Sequence, residues 1–145
     1  GPSFRMLAPD AGETLPGNDG SCVLLVTVDG VRLLLPGDIE AGRERELVQR
    51  LGYSLSADWL LAGHHGSLTS SSHAWLKTVQ PATVVFSSAY ASRFGHPHPL
   101  VVERVAARGV NALATAASGA LIFEFTPGNP MKIVRYRQRV RRFWM

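Results

Sequence analysis

LLLPGDIE, residues 33–40, ends an apolar run on a Gly37-Asp38 pair, and what lies on either side of it decides the fold. Upstream, Asp29-Gly30 separates the apolar runs 21–28 and 31–36, which reads as a β-hairpin. Downstream the period changes. Leu47, Val48 and Leu51 share one face of a polar segment that stops at Gly52, as an amphipathic helix does. A strand therefore leads into a loop bearing a carboxylate, and the loop leads into a helix.

The same unit recurs twice. Residues 58–62 read as a short strand and 63–70 as a loop containing His64 and His65, followed by a helix over 71–79 with Trp75, Leu76 and Val79 inward. Residues 82–87 (ATVVFS) read as a buried strand. A loop through His96 follows it, then a helix from Pro99 to about 108, closed by Gly109. Strands at 110–115, 120–126 and 132–137 end the chain, and 1–20, rich in Gly, Pro and Asp, reads as a loop leading in. The expectation is an α/β fold, a mixed sheet covered by helices. Asp38, His64 and His96 each follow a strand and precede a helix, so they should converge at the carboxyl edge of the sheet, where α/β folds bind ligands.

The 145 residues suit one domain with its own core, and 46% hydrophobic against 18% charged content is that of a globular chain. No apolar run is long enough to span a bilayer and no signal peptide is visible. Gly1-Pro2 reads as the scar of a cleaved tag, within a remnant 1–3, so natural residues are expected upstream. Cys22 stands alone, which excludes an internal disulfide, and its apolar run suggests a buried thiol.

The net charge of +4 is uneven. Six of the 15 basic residues fall in the tail 132–145, which has no acid, leaving nine against 11 acidic groups before it. Lys132, Arg135, Arg137, Arg139, Arg141 and Arg142, interleaved with Tyr136, Phe143 and Trp144, suit phosphate backbone; a solvated strand end or a docking segment suits them as well.

Among the candidate site residues, Asp38 can bridge two cations, although Gly-Asp is also an ordinary turn pair. Adjacent side chains diverge, so one of His64 and His65 can bind metal while the other meets substrate; two solvated histidines are the plain alternative. Ser67 and Ser70, among Thr69, Ser71 and Ser72, can cap the next helix or help hold a phosphate oxygen. His73 reads as structural or surface-exposed. His96 sits between Gly95 and Pro97 on a stiffened loop, as a metal ligand, a residue supporting one, or a proton donor. Arg93 can bind phosphate with both arms, and His98 is the weaker histidine of its pair.

Taken together, GNDGSCVLLV (17–26), LLLPGDIE (33–40), LLAGHHGSLTSSS (60–72), SRFGHPHP (92–99), GALIFEF (119–125) and YRQRVRRFW (136–144) resemble the C-terminal domain of the ComEC family. These are DNA-internalisation competence proteins of the bacterial inner membrane. The resemblance implies a metallo-β-lactamase-like αββα sandwich and a metal-dependent phosphodiesterase that degrades the strand not imported. It matches Asp38 to the bridging metal carboxylate, His64 or His65 to a metal histidine, and His96 to the histidine of a GHP motif. It implies zinc or manganese, DNA (single-stranded) and the rest of the membrane channel as partners, and a domain on the periplasmic side.

Two departures narrow it. The HxDxDH signature of such domains is absent, since all five histidines lie at or after position 64, so the chain is expected to be only the C-terminal half of the domain. Ser92 stands where the family often has Asn. The half-domain is therefore expected to bind metal weakly, to be close to inactive alone, and to pair with its own copies through open sheet edges. A noncatalytic single-stranded-DNA-binding module and a metallo-hydrolase of a small ester are the competing readings.

Overall fold

The computed structural model describes residues 1–140. Arg141, Arg142, Phe143 and Trp144 of the basic tail lie outside the described residues.

Six strands form one sheet in the order of the sequence: β1 (Ser3–Ala8), β2 (Val23–Val28), β3 (Val31–Leu35), β4 (Trp59–Leu61), β5 (Thr83–Phe86) and β6 (Asn111–Ala114). The hairpin expected at Asp29-Gly30 pairs Val28 with Val31. β1 to β3 are antiparallel, and β3 to β6 are parallel. The parallel crossovers carry α1 (Ala41–Leu51), α2 (His73–Val79) and α3 (Pro99–Ala106). Right-handed crossovers that all step the same way put their helices on one face of a sheet. Leu47 of α1, Trp75, Leu76 and Val79 of α2, and Val101 and Val105 of α3 accordingly share one core with Leu34, Leu60 and Val84.

The opposite face is half-covered. Leu33, Leu35, Trp59 and Leu61 are only partly buried there, and Phe123 meets Trp59 edge-on at 4.9 Å. Phe123 comes from a separate hairpin of β7 (Leu121–Glu124) and β8 (Lys132–Arg135). Two short helices, α4 (Thr115–Ser118) after β6 and α5 (Tyr136–Arg139) after β8, follow these strands.

Three expectations change. The lead-in over 1–20 is not all loop, because Ser3–Ala8 adds an edge strand to β2, pairing Phe4 with Val26. Only Leu7 and Ala8 of that strand are buried, so it carries little inside-outside contrast, and the Gly, Pro and Asp after it dominate the local composition. Cys22 is exposed rather than buried, since β2 begins at Val23 and Val23 takes the core position. Arg137 lies in α5, not in the last strand.

Candidate functional site

Because β3, β4 and β5 are parallel, the loops after them open on one edge of the sheet, as expected. Asp38 Oδ1 lies 3.8 Å from His65 Nε2, and Glu40 Oε1 lies 3.6 Å from His64 Nδ1. The His96 ring is 5.8 Å from that of His64, centroid to centroid. Residues up to 58 positions apart thus share one cluster. His64 turns towards Glu40 and His96; His65 turns towards Asp38, and its Nδ1 meets the Ser87 carbonyl at 2.8 Å.

This divergence has a backbone cause. Gly63–Gly66 is a tight turn in which His64 (φ 48°, ψ 44°) and His65 (φ 56°, ψ 20°) are both left-handed and so interrupt any regular helix. Left-handed backbone in a residue with a side chain costs on the order of 1–3 kcal/mol and gathers at functional sites. The surroundings hold it there. His64 N–H donates to the Gly37 carbonyl at 3.0 Å, and His98 N–H donates to the Gly66 carbonyl at 2.9 Å. At Gly66 (φ +83°) an added Cβ would come within 2.7 Å of the Phe86 ring and 2.8 Å of Pro97. Only glycine fits there.

The Asp38 side is braced from 17–21. Ser21 Oγ accepts the Asp38 N–H at 3.1 Å, Asp19 accepts the Glu40 N–H at 2.9 Å, and Asn18 donates to Glu40 at 3.3 Å. Glu40 stands two positions after Asp38 in the same motif, yet nothing in its own segment marks it as a site residue. Asn18, Asp19 and Ser21 carried no periodic signal, because they act through single hydrogen bonds.

Ser67 and Ser70 are inside the loop rather than on its open side. Ser70 Oγ donates to the Gly63 carbonyl at 2.5 Å, and Ser67 Oγ pairs with the Thr69 hydroxyl at 3.1 Å. Ser72, not either of these, caps α2 by accepting the Trp75 N–H at 3.3 Å. His73 is exposed. His98 caps α3 through the Leu100 N–H at 3.2 Å. Arg93 is exposed with its guanidinium 4.8 Å from the Phe94 ring centre. Ser92 holds the His96 N–H at 3.3 Å, so serine supplies a polar contact at this position.

Glu44 of α1 is fully buried and accepts the N–H of Ser71 at 2.6 Å and of Ser72 at 2.8 Å. Burial raises its carboxyl above the usual range, against the opposing pull of those donors and of Arg104. His96 moves the other way. Burial lowers its basicity, and His64, His65 and His98 add to the effect. Both effects act against the protonated imidazole.

Among the described residues, the Nδ1 atoms of His64 and His96 are buried and have no hydrogen-bond partner. Even so, among the described residues no three His, Cys, Asp or Glu side chains form a group able to hold a metal ion. Asp38, His64, His65 and His96 therefore do not by themselves fit a complete zinc or manganese site. Among the described residues, no helix is long and apolar enough to cross a membrane.

No family model matches the chain. It is 40% identical over 144 residues to Competence protein ComA of Neisseria gonorrhoeae, which covers 99% of this chain and 20% of that protein. It is 30% identical over 122 residues to ComE operon protein 3 of Bacillus subtilis, covering 84% of the chain and 16% of the relative. Recombination protein 2 of Haemophilus influenzae is 36% identical over 122 residues, covering 84% and 15%. The chain therefore spans a fifth or less of the length of these relatives. Over nearly all of its own length, this chain is a ComEC-type competence domain.

Proposed function

We propose that the chain belongs to a DNA-uptake protein and forms one wall of a metal-dependent phosphodiesterase site in a metallo-β-lactamase-like domain. The observation that carries this reading is the strained His64–His65 turn, which sets Asp38, His64, His65 and His96 together at the carboxyl edge of the sheet. A solvated histidine pair has no need of two left-handed residues pinned from both sides. The half-covered face around Leu33, Leu35, Trp59 and Leu61 supports the αββα sandwich, in which a second layer buries such a face.

Asp38 and one of His64 and His65 contact the metal in this reading, and the remaining ligands come from elsewhere in the longer protein. His65 and His96 are the groups placed to take up a proton. Arg93, exposed three positions before His96, is placed to meet a phosphate. DNA, in single-stranded form, is the substrate, and the membrane channel of the same protein is the partner, with the domain on the periplasmic side.

The test is degradation of a labelled single strand by the full-length protein, with and without EDTA, and with Asp38→Ala and His64→Ala. Each treatment is expected to abolish cleavage, while the 145-residue chain alone stays close to inactive. Cleavage indifferent to EDTA and to both substitutions overturns the reading. The incomplete donor set favours one competitor, a noncatalytic module that binds single strands; binding by the full-length protein with no cleavage at all decides for it.

A further inference from the structure

The loop 87–98, which carries His96, also carries two aromatic side chains that the site has not absorbed. Tyr90 is 78% exposed and Phe94 69% exposed. Each has an arginine at its ring, with the guanidinium of Arg93 4.8 Å from the centre of Phe94 and that of Arg137 5.7 Å from the centre of Tyr90. Arg137 is fixed in place, because its Nη1 donates to the Ala116 carbonyl at 2.6 Å. Phe94 is also oriented, with its plane 23° from that of His96 and 6.1 Å away.

Phe94 borders the cluster directly, and Tyr90 stands four positions before it in the same loop. Phe94 lines a cleft of about 330 Å³ together with His65, Ser87, Ser88, Ala89 and Thr115. Large aromatic rings left open to water lose hydrophobic free energy unless something covers them. What would cover these rings must be flat, to lie on the planes, and anionic, to satisfy the arginines. An unpaired stretch of nucleic acid is both, since every base offers a π-face and every linkage a phosphate. A duplex does not qualify, because its base faces are occupied by its own stack.

We infer that Tyr90 and Phe94 form a stacking platform for unpaired bases, with Arg93 and Arg137 holding the adjoining phosphates, beside the His65 cleft. The inference rests on the DNA-uptake reading above but not on hydrolysis. The platform is built largely by a loop of the sheet, so it does not depend on the tail arginines beyond position 140.

The test measures binding of a fluorescent oligothymidine of roughly 12 nucleotides to the 145-residue chain, by anisotropy at low salt. Tyr90→Ala and Phe94→Ala are each expected to weaken binding about tenfold, as loss of one stacked base does. Tyr90→Phe and Phe94→Tyr keep a ring and are expected to stay within about twofold of wild type. A duplex should bind more weakly and ignore all four changes. No binding by the wild-type chain, alanine variants that bind like wild type, or equal losses on duplex each overturn the platform. Cleavage by the full-length protein is followed in parallel. The expected affinity pattern without any cleavage upholds the platform and removes the phosphodiesterase; cleavage with alanine variants of unchanged affinity does the reverse.

Discussion

The carboxylate of Glu44 accepts the backbone N–H of Ser71 at 2.6 Å, across 27 positions of sequence. Through this bond and its neighbour to Ser72, α1 holds the turn that ends the histidine loop, and Ser70 continues the link to Gly63. A side chain with no access to water thereby fixes a loop on the surface.

Glu44→Ala should therefore cost about 3 kcal/mol, since two backbone donors lose their acceptor in the interior. Glu44→Gln, which keeps one oxygen and the shape, should cost less than half of that. Urea unfolding of the three proteins checks the order.

The same residue gives a pH signature. Burial raises the carboxyl of Glu44 in the folded state, so folding binds a proton more tightly than the unfolded chain does. Its contribution to stability is full below the ordinary carboxylate value and is lost as pH rises through the higher folded one. Relative to Glu44→Gln, wild type should lose stability from about pH 4 upward and then level off. Parallel curves for the two proteins refute this.

Gly66→Ala meets both obstacles at once, a positive φ and the side chains of Phe86 and Pro97. It should destabilise by about 2–3 kcal/mol and pull the 96–98 segment away from the histidine turn. Loss of the His98–Gly66 hydrogen bond, read as faster amide exchange at His98, is the expected local sign.

His65→Gly should behave differently from an ordinary loss of a side chain. Relief of the left-handed backbone, about 1 kcal/mol, offsets the lost bond to the Ser87 carbonyl, about 1 kcal/mol, and the freer unfolded chain. Stability within about 1 kcal/mol of wild type, with the imidazole gone, is the expected outcome of calorimetry.

Zinc should leave the melting temperature of the 145-residue chain almost unchanged, shifting it by less than about 2 °C between EDTA and excess metal, because tight binding by the folded state alone would raise it. A larger rise shows that Asp38, His64, His65 and His96 close a site unaided.

The strand-loop-helix units were legible because hydrophobic period changes at each junction, and that alone brought Asp38, His64 and His96 to one edge. What stayed hidden shares a different character. β1 has an exposed outer half, and so lacks the alternation that marks a strand. Glu44 sits in a polar helix where a buried carboxylate looks like any surface one. Glu40, Asn18 and Ser21 matter through hydrogen bonds to partners far along the chain, and periodicity carries no trace of such pairs. The sequence leaves Ser67 and Ser70 open between capping the next helix and holding a phosphate oxygen, because composition does not say which way a hydroxyl points.

Each strand of the six-stranded sheet pairs only with its neighbours in sequence. Such a sheet can be laid down in the order of synthesis, with no early strand left waiting for a late partner. The histidine turn is then pinned in two stages: Gly37 engages His64 as β4 docks, and Gly66 engages His98 only after β5 is in place. A nascent chain stopped before residue 98 still lacks α3 with its core residues Val101 and Val105, so its histidine loop should sample other shapes until that helix docks.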